Sequence, residues 1–297
     1  MSAAAGGSLR ARARSRTAPT PRLYAVSRPG AVARGALIRM VLVCVPSLLA
    51  AACAGLAPSS QALIEHSPVT KFEIGIANVY LVQGHSGLVL IDTSVAGAEQ
   101  EIEEAIRSTG HRVQDVKLIV LTHCHGDHAG AAPYFQSTYH IPIMAGAGDL
   151  SMCMSGHNDE LKPTSLFAYF VKLLSNKTYR PFRPNILVEN ERSLEEYGLA
   201  ATVRPMPGHT DGSLVVLLND REAVVGDLIR GSMTNANVPT EHFFHKDRSL
   251  WRTNLARLLQ EGYVLFWVGH WGPVDAREIY RAFPDIQEAD EVETGSF

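Results

Sequence analysis

At 297 residues, with 46% hydrophobic and 19% charged side chains, the chain can bury a substantial core and is too apolar for an intrinsically disordered segment. Its net charge of −3 is unevenly spread: residues 1–39 hold eight arginines and no acid, leaving 19 bases against 30 acids in the rest, a balance of −11. A body of that sign repels phosphate backbones, which argues against a nucleic-acid partner. Four cysteines with no CxxC pair argue against a disulfide scaffold, a thiol redox site and a cysteine-cage zinc site.

Residues 1–60 read as a targeting segment that precedes a folded domain over 61–297. From Met40 to Ile64 no residue is charged, and Val41–Ala57, which holds Cys44, is rich in Val, Leu and Ala. Arg34 and Arg39 come before this stretch, and the small residues Ala50-Ala51-Ala52-Cys53-Ala54 lie in it. That is the composition of a secretory signal, and its apolar core is shorter than the roughly 20 residues of a membrane span. Export is therefore expected, to the periplasm or medium or to a membrane through a lipidated Cys53. Leu49 lies one position further upstream than a lipoprotein signal prefers. Met40 as the true start and an organellar transit peptide are competing readings of the same arginine-rich residues.

The body alternates short apolar runs with amphipathic stretches. Strands are predicted over Phe72–Gln83, Leu88–Asp92, Lys117–Thr122, Ile141–Met144, Ala201–Arg204, Ser213–Leu218, Ala223–Gly226 and Val264–Val268, from their β-branched and aromatic content and their Gly and Pro punctuation. Helices are predicted over Ala98–Ser108, Ala129–Tyr134, Ser165–Leu174, Ser249–Gln260 and Asp275–Ala282. Strands in adjacent runs with helices between them predict sheet layers covered by helices. The Ser165–Leu174 segment has Lys172 as its only charge, so it is expected either to be buried or to lid a pocket.

The strongest chemical signal is Thr122-His123-Cys124-His125-Gly126-Asp127-His128, directly after an apolar strand. Four candidate ligands lie within six residues. Histidines two apart can converge on one ion, while Asp127 and His128 point toward a second. Imidazole with carboxylate suits zinc, and also iron or manganese. The side chain of Cys124, between two ligand histidines, should point away from the metals.

This HxHxDH segment resembles the metallo-β-lactamase superfamily. The chain carries the family's other motifs in order: Leu90-Ile91-Asp92-Thr93, Pro207-Gly208-His209-Thr210-Asp211-Gly212-Ser213, Val225-Gly226-Asp227 and Val268-Gly269-His270. The resemblance implies an α+β fold, the four-layer αββα sandwich, and two zinc ions per chain. On it, His123, His125 and His209 would bind one ion, and Asp127, His128 and His270 the other. Asp227 would bridge them, and Asp92 would hold the ligand loops. A hydroxide between the ions would attack a carbonyl ester, thioester or lactone of a small molecule, with Asp127 relaying a proton. A bridging aspartate resembles the glyoxalase II and lactonase branch. Lactam cleavage and phosphodiester cleavage are the alternatives, and a non-catalytic binding protein is a third. Departing from the family, Trp271 follows His270 where a small residue is common, and would wall the pocket or join the core. Ser213 is expected to be structural. Histidines 66, 85, 111, 140 and 157 are expected at the surface or behind ligands, and His242 and His245 are the weak candidates for the pocket. Specificity is expected in the insertion between Ala145 and Val188.

Overall fold

In the computed structural model, which describes residues 60–286 apart from 174, 176, 177, 219 and 220, the central strands send alternate side chains into two different apolar layers. The readings of the targeting segment over residues 1–59 lie outside the described residues. A short helix α1, Ser60–His66, opens the described chain.

The first sheet has the order β1 (Val69–Ile74), β2 (Ala77–Gln83), β3 (Leu88–Ile91), β4 (Val116–Val120), β5 (Ile143–Gly146) and β6 (Ile186–Val188). Its first three strands are antiparallel neighbours, and β3 to β6 run parallel. The parallel pairs are joined by crossovers carrying α2 (Glu99–Ser108), α3 (Ala132–Tyr139), α4 (Leu150–Ser155) and α5 (Leu166–Lys172). In the second sheet β7 (Arg192–Ser193), β8 (Ala201–Pro205), β9 (Leu214–Leu218) and β10 (Glu222–Gly226) form an antiparallel run. After the small ribbon β11 (Arg230–Gly231) and β12 (Pro239–Thr240) and helix α6 (Arg248–Gln260), β13 (Leu265–Val268) returns parallel to β10. Then β14 (Val274–Asp275) closes the edge before α7 (Ala276–Ala282).

Tyr80, Val82, Val89, Ile91, Leu118 and Val120 point between the sheets, where they meet Val203, Leu214, Val216, Val224 and Trp267. Their neighbours Val79, Leu81, Leu88, Leu90 and Ile119 face Ile102 and Ile106 of α2 and Phe135 of α3. On the far side Val215, Leu217, Ala223, Val225 and Phe266 face Trp251, Leu255 and Leu258 of α6 and Ile279 of α7. Each such aliphatic or aromatic side chain contributes roughly 1.5–3 kcal/mol on leaving water. Three apolar interfaces stacked helix, sheet, sheet, helix are the expected αββα sandwich. Local signals set the helix starts: Asp247 caps α6 by accepting from the Leu250 amide, and Ser165 caps α5 by accepting from Ala168.

One expectation is corrected, and one choice left open is decided. The run Phe72–Gln83 is not one strand but a hairpin, β1 and β2, in which Ile74 pairs with Ala77 across a turn at Gly75 and Ile76. Gly75 has φ +65°, a conformation that an apolar run conceals. Secondly, α5 is not buried: Leu166, Phe170 and Leu173 are 79, 63 and 80% exposed. One narrow side of it, Ala168 and Val171, packs on Leu161, Phe243 and Phe244.

Candidate metal centre

The loops leaving β3, β4, β8, β10 and β13, which come from both sheets, bring their ligand-type residues to one place. The loop after β4 carries His123, His125, Asp127 and His128, the loop before β9 carries His209, and Asp227 and His270 follow β10 and β13. All but Asp127 are buried. Asp227 lies at the middle: its Oδ2 is 3.8 Å from His123 Nε2, 3.5 Å from both His128 and His209 Nε2, 3.4 Å from His270 Nε2 and 3.0 Å from His242 Nε2. His209 Nε2 lies 3.1 Å from His125 Nδ1, and His270 Nε2 lies 3.6 Å from Asp127 Oδ2. Such an approach of backbones needs glycine. A Cβ at Gly269 would sit 2.1 Å from Asp227 Oδ1 and 2.8 Å from His128 Cε1.

The outer ring nitrogens are held by acceptors. His209 Nδ1 donates to the Phe244 carbonyl at 2.8 Å and His270 Nδ1 to the Ile76 carbonyl at 2.6 Å. His128 Nδ1 meets Asp92 Oδ2 at 2.8 Å, and His125 Nε2 meets Asp159 Oδ1 at 3.0 Å. Fixing the proton on the outer nitrogen leaves the inner lone pair free for a cation. Asp92, in the left-handed region at φ 61°, also accepts from the Thr122 amide and hydroxyl, both at 2.7 Å. Asp92 thereby fastens the start of the ligand loop to β3, as expected.

Two buried atoms in the cluster have no hydrogen-bond partner, His123 Nε2 and Asp227 Oδ1. Buried orphans of this kind are rare in folded proteins, and here they are a nitrogen and an oxygen acceptor of one cluster. Burial, aided by the neighbouring His128 and His209, holds His123 well below the usual imidazole range, and burial also lowers His209, to about 4. Both rings are thus neutral, with lone pairs to offer. Burial alone would raise Asp227, but His242, His270 and His128 outweigh it and hold the carboxyl well below its usual range. Four residue groups could each hold an ion: His123, His125 and His209; Asp127, His128 and His270; His123, His128 and Asp227; and His209, Asp227 and His242. The first two coincide with the two sets read from the motifs. Nitrogen and carboxylate donors around a buried carboxylate fit divalent metal ions.

Sequence reasoning passed over several partners. Asp149, fully buried, accepts from the Cys124 amide, the Thr210 hydroxyl and the Gly212 amide at 2.8–2.9 Å, tying the His123–His128 loop to the His209 loop. Asn158 accepts from the Gly126 amide at 2.8 Å, next to Asp159. The polar run Asn158-Asp159-Glu160 inside the insertion is the one signal that could have pointed to them. Cys124 does turn away from the cluster and is disulfide-bonded to Cys153, a pairing that was not anticipated. His242 is a full member of the cluster. His245 is not: its ring stacks on Trp251 at 4.7 Å, and burial pushes it down to about 2. Ser213 Oγ accepts from the Thr210 amide, a structural role. His66, His85, His140 and His157 are exposed and His111 is half-buried.

Beside the cluster opens a cavity of about 380 Å³, lined among others by Asn78, Asp127, Asp227, His242, His270 and Trp271. Trp271, at φ 59°, therefore walls the pocket, with its carbonyl accepting from Asn78 Nδ2 at 2.6 Å.

Comparison with known proteins agrees with this geometry. A sequence profile of the metallo-beta-lactamase superfamily matches residues 73–270. A probable metallo-hydrolase of Methanocaldococcus jannaschii is 31% identical over 153 residues, which are 52% of this chain and 67% of that protein. The uncharacterised protein YobT of Bacillus subtilis is 30% identical over 145 residues, 47% of this chain and 56% of that one. Among solved structures, a metallo-beta-lactamase family protein from Thermus thermophilus superposes with a TM-score of 0.56 at 22% identity, covering 75% of this chain and 80% of its own. A subclass B3 metallo-beta-lactamase from a soil metagenome superposes with a TM-score of 0.53 at 19% identity, covering 69 and 77%. The chain belongs to the metallo-beta-lactamase superfamily, with His/Asp clusters suited to a divalent metal.

Proposed function

We propose that this superfamily member is a hydrolase holding two zinc ions and cleaving a small-molecule carbonyl ester, thioester or lactone. One observation carries the reading: five histidine nitrogens come within 3.0–3.8 Å of a single oxygen of the buried Asp227. His123, His125 and His209 would hold one ion, Asp127, His128 and His270 the second, with Asp227 shared between them. Ions bound there supply Lewis acidity toward a carbonyl oxygen and make water more acidic.

The remaining tasks fall to this chain's side chains. Asp92, Asp159 and the carbonyls of Ile76 and Phe244 keep four imidazoles turned with a free lone pair inward. Asp127, half-buried and lining the cavity, is placed to take a proton from the attacking water and pass it to the leaving group. His242 Nε2, 3.0 Å from Asp227 Oδ2, holds that carboxylate in place. Trp271 and Phe244 exclude water around the reacting bond. The Cys124–Cys153 disulfide supports an exported location, since such bonds persist in oxidising compartments.

The test pairs elemental analysis with a substrate panel: a thioester, a lactone, nitrocefin and bis-p-nitrophenyl phosphate. About two zinc ions per chain, with turnover of the thioester or lactone well above the others, is expected. Trace metal, or a preference for nitrocefin or the phosphodiester, refutes the assignment.

A further inference from the structure

The cavity has a chemical character of its own. Besides the metal cluster it is lined by Ile76, Leu161, Val171, Phe243, Phe244 and Trp271, an apolar wall to which α5 contributes Val171. The charged side chains in the lining are acidic, Glu73 and Asp127 with Asp227, and no lysine or arginine lines it among the described residues. The buried cation Arg230 lies behind the lining and not in it: its guanidinium is 4.0 Å from the Phe243 ring centroid and 5.5 Å from that of Trp271, and it donates to the Gly231 carbonyl.

We propose that the substituent carried by the substrate's carbonyl is apolar and bears no negative charge, and that it lies against the wall formed by Leu161, Val171, Phe243 and Phe244. The inference rests on the reading of the site as a metal-dependent carbonyl hydrolase and names the class of acyl group it takes. Physically, an anion at the far end of such a group would lose its water among acidic and apolar side chains with no counter-ion to meet it. Each methylene laid on the wall, by contrast, gains about fourfold in binding. The wall is also local to the insertion and to the segment after β12: Leu161 and Val171 come from one, Phe243 and Phe244 from the other, and the Phe167 ring packs on Phe243 at 6.0 Å. The side chains of the wall come from outside the five ligand motifs, although the same two segments also supply the Phe244 carbonyl to His209 and Asp159 to His125.

Thiols bind through sulfur to protein-held zinc whatever bond the enzyme hydrolyses, so they read the wall independently of the reaction. Dissociation constants for the zinc-loaded full chain would be measured by calorimetry with 1-propanethiol, 1-hexanethiol and 6-mercaptohexanoate. Hexanethiol should bind some 60-fold tighter than propanethiol, from three methylenes at about fourfold each. The terminal carboxylate of 6-mercaptohexanoate should remove at least tenfold of that gain. Phe243→Ala and Val171→Ala should flatten the chain-length dependence while leaving propanethiol binding within about twofold. Equal affinity for the two alkanethiols, or binding of 6-mercaptohexanoate tighter than that of hexanethiol, overturns the proposal. If Arg230→Gln then abolishes the tighter binding, the pocket is an anion reader. A panel without ester, thioester or lactone turnover, together with the expected thiol series, would sink the proposed reaction and leave the apolar wall standing. A chain that takes up no zinc overturns both.

Discussion

Replacing Asp149 tests how the two ligand loops are held together. Its Oδ2 accepts from the Cys124 amide and the Thr210 hydroxyl, both at 2.9 Å, and its Oδ1 from the Gly212 amide at 2.8 Å. Hydrogen bonds to a charged acceptor contribute about 1.5–3 kcal/mol each. Thr210 retains a second partner in Ser213 Oγ at 2.9 Å, so Asp149→Ala orphans chiefly two buried amides, a gross loss of about 3–6 kcal/mol. Part of that is returned, because burial has already raised the Asp149 pKa and charging it there is unfavourable. The net destabilisation should be about 2–4 kcal/mol. Asp149→Asn is isosteric but not conservative. Its one oxygen can serve the Cys124 amide and Thr210, which turns its NH₂ against the Gly212 N–H, at a cost of about 1–3 kcal/mol. Urea unfolding followed by circular dichroism measures both, with m-values matching wild type if the native state is otherwise intact. Both variants should also bind the ion at His123, His125 and His209 more weakly, because His125 and His209 lie on the loops that Asp149 ties. If the two variants unfold within about 0.5 kcal/mol of wild type, the three contacts do not carry the load assigned to them.

Three further outcomes follow from the same geometry. Asp227→Ala should weaken both ions together on zinc titration of the apoprotein, whereas His209→Ala should weaken one and His270→Ala the other, by roughly 10–100-fold; retention of two ions with unchanged affinity in Asp227→Ala would refute a shared carboxylate. The Phe244 amide and carbonyl both lie 3.2 Å from His242 Nδ1; with that nitrogen accepting from the amide, His242 donates its Nε2 proton to Asp227 at 3.0 Å. His242→Ala should accordingly keep both ions while turnover falls about 10–100-fold, and His242→Gln, with an N–H of its own, should recover part of it; loss of an ion in both would make His242 a ligand instead. Cys153→Ala should cost about 2–4 kcal/mol by opening the loop of 29 residues to Cys124, and alkylation of both cysteines in the native, unreduced protein would show that the bond does not form.

What the amino-acid order settled by itself was the local chemistry and the periodicity. Four candidate ligands packed into His123–His128 after an apolar strand were legible because they form one short stretch, and the family resemblance added His209, Asp227 and His270. That Val89 and Leu90 face opposite layers follows once their run is known to be a strand, since side-chain direction alternates along it. The hairpin turn at Gly75 was hidden because Ile74 and Ile76 continue the apolar run on both sides of it. Whether α5 lay inside or outside depended on what packed beneath it, and a helix apolar on most faces is compatible with either. Asp149 and Asp159 were out of reach for a different reason, and His242 was no more than a weak candidate. Their roles come from partners 25, 34 and 15 residues away, at Cys124, His125 and Asp227. Only the closure of two sheets onto one edge brings those distances to about 3 Å, and a hydrogen bond across such a gap leaves no period or spacing in the chain that makes it.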